Sequence, residues 1–359
     1  MTNDPIPTTN QARVQTAALV IIAAAMVLFL LVQAQFMMIA LAVAIILFSL
    51  TSDVIQFIAR QSVGPFRIPN WIASIAALLL ISTALLTLSS ILLTQVNTVI
   101  SLTLEYAERA PSAIAQLFSF MGEDVESAIF SAIAGIEFSG YLQTLAGQAG
   151  NVTSFTVLVI LFVGFLFAER IWFETKLGNL VADPIKAARI ARITQSIIHR
   201  VNYYLLVKTL ISVATGGLVY FLATWFGLEL AAALGILTFV LNYIPNVGSL
   251  VATLLIALVA YIQTEDPSVT WIVFGITSVI QFSMGNVIEP MLMGRALRLS
   301  SFGIIISLAF WGAVWGVPGM FLSVPIMVMM MVICSHVPNL RPVAVLLSRE
   351  GLPDTEQDL

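Results

Sequence analysis

Long apolar segments recur along the chain and are separated by shorter polar ones. The first apolar run, residues 16–32, is followed after Gln33-Ala34-Gln35 by a second run at residues 36–50. Each run is short for a membrane-spanning helix, which needs about 20 residues, so we expect a tight hairpin of two tilted helices. Four further segments suit a single crossing each, at residues 69–94, 152–168, 209–226 and 269–286. The pattern predicts an all-α, polytopic membrane protein.

Two later apolar runs, residues 230–263 and 302–334, are too long for one crossing. As single helices they would measure roughly 50 Å, whereas the hydrocarbon core is about 30 Å thick. Pro245 lies near the middle of the first run, and Gly316-Val317-Pro318-Gly319 near the middle of the second. Because Pro removes a backbone donor and Gly permits unusual dihedral angles, we predict two helical hairpins bent at these positions. Together with the six single crossings, they make about eight membrane segments.

The polar segments differ in the sign of their charge. Residues 95–151 contain six acidic side chains but one basic side chain, Arg109, and their apolar residues recur at helical spacing, which predicts an acidic helical insert outside the cytoplasm. Residues 169–208 contain seven Lys and Arg side chains, which the positive-inside rule places in the cytoplasm. If residues 230–263 fold back, Arg295 and Arg298 are also cytoplasmic, and the two hairpins have opposite orientations. Inverted, broken elements of this kind are typical of secondary transporters.

These patterns divide the chain into six parts. They are N-terminal membrane spans (1–94), the acidic insert (95–151), a membrane span (152–168), a basic cytoplasmic helical segment (169–208), a C-terminal transport core with both hairpins (209–334) and a tail (335–359). Asp183-Pro184 predicts a helix N-cap followed by Pro at the first helical position. Both termini are expected in the cytoplasm of a bacterial cell, with the spans in its inner membrane.

The composition supports a membrane protein and excludes several other classes. Hydrophobic residues make up 59% of the chain and charged residues 9%, against about 25% charged residues in a typical soluble domain. No basic patch indicates nucleic-acid binding. Cys334 is the only cysteine, which excludes a disulfide within the chain. The sequence has no Walker A, Gly-x-Ser-x-Gly or His-Glu-x-x-His motif, so we expect neither an enzyme nor a bound cofactor or metal.

Polar groups at the first predicted bend are the main candidates for function. In lipid each unsatisfied backbone polar group costs several kcal/mol, so a bend at membrane depth must line a cavity or be covered by protein. The amide, phenol and hydroxyl groups there could bind a small polar ligand or an alkali cation, or could satisfy one another in packing. The residues concerned are Asn242, Tyr243, Pro245, Asn246, Gly248 and Ser249.

The second bend, at Gly316, Pro318 and Gly319, has no polar side chain. Its contribution would be backbone geometry or close helix packing, and the pattern favours a packing hinge.

Gln281, Asn286 and Glu289 lie near the end of the apolar segment 269–286. Gln281 and Glu289 are eight residues apart, about two helical turns, which predicts a shared helical face. A carboxylate next to hydrocarbon is a candidate proton or cation carrier. The alternative is an interfacial ion pair between Glu289 and Arg295 or Arg298.

Three motifs in the C-terminal half resemble those of a known family. They are Tyr243-Ile244-Pro245-Asn246-Val247-Gly248-Ser249, Asn286-Val287-Ile288-Glu289-Pro290 with Gly294-Arg295, and Trp311-Gly312 with Gly316-Val317-Pro318-Gly319 and Val324-Pro325. In this order and spacing they resemble the autoinducer-2 exporter family of bacterial membrane proteins. The motifs cover residues 230–332, and the layout of spans agrees over the whole chain.

The resemblance implies a carrier that exports a small polar solute such as autoinducer-2, with Pro290 beside Glu289 on the substrate path. Some relatives look like sodium or lithium/proton antiporters, so antiport is an alternative. The resemblance also implies a homo-oligomer, with a pentamer as one form. Phe282-Ser283-Met284-Gly285 stands where relatives often place an acidic residue, which leaves Glu289 as the candidate carboxylate of this span.

Three hypotheses therefore stand at this point. The first is a secondary transporter of a small polar solute across the lipid bilayer, and the second is a monovalent cation/proton antiporter on the same scaffold. The third is a non-transporting scaffold or receptor that uses the acidic insert as a docking module.

Overall fold

A computed structural model describes residues 9–60, 62–63, 66–67, 70–107, 111–112, 115, 122–134, 138–170, 172–181, 183–293, 299–349 and 351. Over these ranges the chain is almost entirely helical, as predicted. The exception is a two-stranded antiparallel ribbon formed by β1 (Ser62–Val63) and β2 (Phe66–Arg67).

The helices have the following bounds. In the N-terminal half they are α1 (Thr9–Gln33), α2 (Gln35–Arg60), α3 (Asn70–Ala107), α4 (Glu123–Ala134), α5 (Phe138–Arg170) and α6 (Phe173–Val181). In the C-terminal half they are α7 (Pro184–Trp225), α8 (Ala231–Leu241), α9 (Val247–Thr264), α10 (Pro267–Ser283), α11 (Glu289–Met293), α12 (Ser301–His336) and α13 (Arg341–Leu347). A π-helix (Met284–Ile288) joins α10 to α11, and a 3₁₀ turn (Pro338–Leu340) precedes α13.

Seven helical segments in the described part of the chain are long and apolar enough to cross a membrane. They are Val14–Gln33, Ser74–Ser101, Gly150–Arg170, Pro184–Trp225, Val247–Thr264, Pro267–Met293 and Ser301–His336. Two shorter apolar helices, Gln35–Thr51 and Ala231–Leu241, accompany them. The prediction of a chain that crosses the membrane several times is confirmed, whereas the number of eight segments stays a prediction.

The first two apolar runs do not form the predicted tight hairpin. The Ala34 N–H donates to the Leu30 carbonyl and the Met38 N–H donates to the Ala34 carbonyl, so helical hydrogen bonding continues on both sides of the junction. None of the segment Val14–Gln33 is buried, so α1 does not pack back along α2. The hairpin prediction is therefore wrong here, because two polar glutamines interrupt hydropathy without breaking the helix.

Helix α7 is continuous across the predicted boundary between the basic segment and the next span. Its N-cap is Asp183, whose Oδ1 accepts a hydrogen bond from the Ile185 N–H at 2.9 Å, and Pro184 occupies the first helical position, as predicted. With 42 residues, α7 is about 63 Å long and exceeds the bilayer thickness. Lys208, the last residue of the predicted cytoplasmic segment, therefore lies inside a helix that also contains the span.

The first long apolar run folds back on itself. The side chain of Gln263 accepts a hydrogen bond from the Glu229 N–H and donates one to the Gly227 carbonyl, both at 2.9 Å. In a single helix these positions, about 35 residues apart, would be separated by roughly 50 Å. Helices α8 and α9 thus form a closed hairpin whose bend is at Asn242–Asn246.

The second long run also reverses direction. Gly316 has φ 65° and ψ −145°, which divides α12 into two arms. The hydroxyl of Ser307 donates to the carbonyl of Ser323 at 2.8 Å, although 16 residues separate them. The two arms therefore lie side by side, with the bend at Gly316–Gly319.

Two apolar cores fix these hairpins against α7. One core joins α7 to the first hairpin and α10, through side chains that include Val219, Leu234, Ile256 and Val273. The other joins the turn of α7 around Tyr204 and Leu205 to the returning arm of α12, through Met327 and Met331. The middle of α7 between these cores faces the first bend.

Candidate functional site

The middle of α7 presents a polar strip to the first bend. Thr209, Ser212 and Thr215 recur every three residues and so lie on one side of the helix. Ser212 and Thr215 are fully buried. The Asn242 side chain donates a hydrogen bond from its Nδ2 to the Ser212 Oγ at 3.0 Å, which ties the bend to this strip.

Tyr243, the next residue of the bend, also contacts the polar strip of α7. Its hydroxyl lies 2.7 Å from the Thr209 Oγ1. Because the Thr209 hydroxyl donates its hydrogen to the Leu205 carbonyl at 2.6 Å, the Tyr243 hydroxyl must be the donor in the contact between the two side chains.

A buried ion pair lies beside this contact. Lys208 Nζ is 2.7 Å from both carboxylate oxygens of Glu289. The Lys208 side chain is 3% exposed and that of Glu289 is 21% exposed. Among the described residues, Lys208 is the one charged side chain that is buried. A buried ammonium needs such a partner, because an unpaired charge in a low-dielectric interior is costly.

The π-helix Met284–Ile288 places Glu289 at this position. Pro290 has no N–H, and in a regular α-helix its ring would clash with the carbonyl of Asn286, four residues earlier. The wider π-turn immediately before Pro290 removes this clash, and the Glu289 N–H donates to the Met284 carbonyl. Single π-turns inside α-helices are frequent at functional sites.

Two tyrosines of α7 complete the surroundings of the pair. The Tyr203 hydroxyl donates to the Leu292 carbonyl at 2.6 Å, which fixes α11 against α7. Tyr204 is 3% exposed, and its hydroxyl has no hydrogen-bond partner within the described ranges. It is close enough to Glu289 and to Tyr243 for electrostatic interaction.

The remaining residues predicted at the first bend have backbone roles. Asn246 is exposed and has φ 60°, so it forms the turn. The Ser249 hydroxyl donates to the Asn246 carbonyl at 2.9 Å. A Cβ at Gly248 would lie 1.7 Å from the Leu241 carbonyl oxygen, so this Gly allows the two arms to meet. Pro245 accepts through its carbonyl from the Val247 N–H at 2.6 Å.

The two polar residues predicted near Glu289, Gln281 and Asn286, differ in burial. Gln281 is buried, and its Nε2 has no hydrogen-bond partner in the part of the chain that the structure describes. Asn286 is exposed, and its Nδ2 donates to the Phe282 carbonyl at 3.3 Å. The π-turn between Gln281 and Glu289 changes the helical register, so their spacing alone does not set a common face. The predicted alternative partners of Glu289, Arg295 and Arg298, lie outside the described residues.

The two bends approach each other through aromatic rings. The ring of Tyr243 lies 4.5 Å, centroid to centroid, from that of Phe321, which follows the second bend. The second bend also contacts α1, because Trp315 Nε1 donates a hydrogen bond to the Leu31 carbonyl at 3.0 Å. A Cβ at Gly319 would be 1.9 Å from the Trp311 carbonyl oxygen. Gly316 and Pro318 are exposed and give the bend its backbone geometry.

Lys208 is the residue that sequence reasoning missed at this site. It was placed with the cytoplasmic basic segment because it ends a charged stretch. A signal was available, since Lys208 is flanked by Leu205-Leu206-Val207 and by Thr209-Leu210-Ile211. A charge within such an apolar context points to an intramembrane partner.

Comparison with known proteins identifies the family of this chain. The model of the family described as AI-2E family transporter matches residues 18–339. A Borreliella burgdorferi protein described as a candidate transport protein is 34% identical over 222 residues, which is 60% of this chain and 61% of that protein. The AI-2 transport protein TqsA of Escherichia coli K12 is 33% identical over 208 residues, 58% of this chain and 59% of its own length.

The aligned regions thus span about three fifths of each relative. The family model covers nearly the whole chain, including α7, both hairpins and the π-helix. The chain belongs to the AI-2E family of transporters.

Proposed function

We propose that this protein is a secondary transporter whose substrate path runs between the middle of α7, the bend of the first hairpin and Glu289. The observation on which the proposal depends is the buried Lys208–Glu289 pair beside the bend. Lys208 is 17 residues before the end of α7 at Trp225, about 25 Å along the helix. Charges at such depth in a membrane segment are costly and are usually functional.

The two hairpins are proposed to enter the membrane from opposite sides, one from each side. The contact between Tyr243 and Phe321 supports this arrangement, because it brings the two bends together. Broken helices that meet near the midplane are the elements from which many secondary transporters build substrate sites.

A small polar solute of the autoinducer-2 type is the first proposed substrate. The E. coli relative is named an AI-2 transport protein. The hydroxyl and amide groups of Ser212, Thr209, Asn242 and Tyr243 offer hydrogen-bonding partners of the kind that such a solute requires.

Monovalent cation/proton antiport is the second candidate, and the Lys208–Glu289 pair favours it. A carboxylate that already binds an ammonium through both oxygens can bind another monovalent cation in its place. Hard cations prefer oxygen ligands of this kind.

A flux assay in proteoliposomes distinguishes these candidates. Autoinducer-2 and sodium would be compared for the wild type and for Glu289→Gln, with each rate expressed per correctly folded protein. We expect antiport to be lost in Glu289→Gln, whereas export of a neutral solute largely survives. Wild-type vesicles that move neither substrate would contradict a transport function and favour the scaffold hypothesis.

The orientation of the hairpins has its own test. In a Cys334→Ser background, Ser268→Cys at the start of α10 is expected to react with an impermeant thiol reagent added outside the cell. Ser301→Cys at the start of α12 is expected to be shielded, because a folded-back first hairpin puts this end in the cytoplasm. Both residues are exposed in the fold, so accessibility reports the side of the membrane. External labelling of Ser301→Cys would refute the proposed orientation.

A homo-oligomer, which the family resemblance implies, is also proposed. The segment Val14–Gln33 is strongly apolar and has no buried residue. Lipid or a second copy of the chain would cover this surface.

A further inference from the structure

We infer that Lys208 is the group that releases a proton when a monovalent cation binds to Glu289. This inference rests on the proposed transport function, and specifically on its cation-coupled form. It assigns the two halves of the exchange to two residues. Glu289 supplies the oxygen ligands for the cation, and Lys208 supplies the proton that leaves.

The geometry supports Glu289 as the group that binds the cation. The Lys208 ammonium lies 2.7 Å from each oxygen of Glu289, so it occupies the position that a cation bound by this carboxylate would take. Glu289 is partly exposed, whereas Lys208 is almost fully buried. The approach to the pair is therefore through Glu289, and the arriving cation and the departing proton would both use it.

The burial of Lys208 supports its role as the group that releases the proton. Once a cation replaces the ammonium at Glu289, Lys208 would be a charge without a counter-ion in an apolar environment. An unpaired charge in an apolar interior is costly, and the like charge of the bound cation adds to this cost. Loss of a proton removes the repulsion, and it leaves a neutral amine that can stay buried.

The exchange balances in atoms and charge. One N–H bond of the ammonium breaks, its electron pair stays on Nζ, and the proton passes to water. One monovalent cation becomes bound to the Glu289 carboxylate. The site has no net charge before the exchange and none after it, so the predicted stoichiometry is one cation for one proton without net charge movement.

Among the described residues near the pair, no other acid or base is better placed than Lys208 to release the proton. Tyr204 lies one turn before Lys208 on α7, Tyr203 is engaged with the Leu292 carbonyl, and Tyr243 donates to Thr209. The face of α12 that packs on this part of α7 contributes apolar side chains such as Met327 and Val328, and α2 contributes Ser49, which is bonded to Asn202. The Tyr204 hydroxyl, which has no hydrogen-bond partner among the described residues, is an additional oxygen that a bound cation could use.

The test compares Lys208→Arg with wild type in proteoliposomes that contain a trapped pH dye and receive a sodium chloride pulse. Arg keeps the positive charge and can keep the ion pair, but a guanidinium does not lose its proton in proteins. We expect Lys208→Arg to fold, and to reduce sodium-driven proton movement to the level of protein-free vesicles. Lys186→Arg is the matched control, because Lys186 is exposed near the start of the same helix, and it should exchange as the wild type does.

A measurement on the wild type keeps the inference testable if Lys208→Arg fails to fold. Exchange should be unaffected by a membrane potential imposed with potassium and valinomycin, because no net charge moves.

The outcomes separate this inference from the proposed function. Exchange retained in Lys208→Arg would overturn the inference, because it would show that Lys208 only holds Glu289 in place. Exchange that responds to the imposed potential would also overturn it, because the predicted exchange moves no net charge. Wild-type vesicles that export autoinducer-2 without sodium-dependent proton movement would overturn the inference and leave the transport function intact. If neither solute moves, the transport function itself fails.

Discussion

Replacing either member of the Lys208–Glu289 pair alone is expected to destabilise the fold by about 3 kcal/mol, whereas replacing both should cost far less. Glu289→Gln leaves the Lys208 ammonium buried with a neutral partner, and Lys208→Met leaves the Glu289 carboxylate without its cation. Removing one partner of a buried pair typically costs 3–5 kcal/mol, and we take the lower end because the Glu289 side chain is 21% exposed. In the double variant Lys208→Met/Glu289→Gln no charge remains to be compensated.

Apparent melting temperatures of detergent-purified protein measure this effect as a double-mutant cycle. Both single variants should melt several degrees below the wild type, and the double variant should melt above either single variant. Replacing Lys186 alone is the control, because it removes the exposed pair with Asp183 and leaves the Asp183 N-cap in place; exposed ion pairs contribute about 0–1 kcal/mol. Additive losses in the double variant would mean that the two side chains are not energetically coupled and that the site is not organised around the pair.

The hairpins could be predicted from the sequence because they follow from length and local chemistry. Residues 230–263 and 302–334 exceed the thickness of a bilayer, and each contains a residue that breaks helical hydrogen bonding near its middle. The breaks occur at Asn242–Asn246 and at Gly316 in the structure. Neither inference requires knowledge of which helices are neighbours.

The ion pair could not be found in the same way, because it joins residues 81 positions apart. Counting basic residues assigns Lys208 to the cytoplasmic side, since this method treats each charge by its place in the sequence. Whether a Lys at such a boundary is solvated or paired depends on which helix packs against it. Glu289 was identified as a candidate carboxylate, but its partner depends on the packing of α11 against α7 and on the π-turn before Pro290.

The junction between α1 and α2 shows a related limit of hydropathy. Gln33 and Gln35 interrupt the apolar run, which predicts a loop, but Gln is a good helix former. Backbone hydrogen bonds at Ala34 therefore continue the helix. A drop in hydropathy marks a turn only when the residues also break the backbone pattern, as Pro245 and Gly316 do.

Gly248→Ala is expected to have the other large effect, a loss of stability of about 4 kcal/mol or more, in the range where backbone collisions are diagnostic. The added Cβ would lie 1.7 Å from the Leu241 carbonyl oxygen, and a carbonyl in the facing arm cannot move aside as the end of a flexible side chain can. The arms α8 and α9 would have to separate. Asn242 would then lose its contact with Ser212 and Tyr243 its contact with Thr209.

Gly275→Ala is the matched control, because a Cβ at this helical Gly of α10 has no atom within 4 Å. It should leave the melting temperature unchanged or raise it, since Ala is favoured over Gly in a helix by up to about 1 kcal/mol. Gly248→Ala should instead lower both the melting temperature and the flux per purified protein. If Gly248→Ala had the melting temperature of the wild type, the backbone at Gly248 could not lie as close to the Leu241 carbonyl as the structure indicates. The bend would then not be a fixed part of the substrate path, because its position against α7 depends on the contact that this Gly permits.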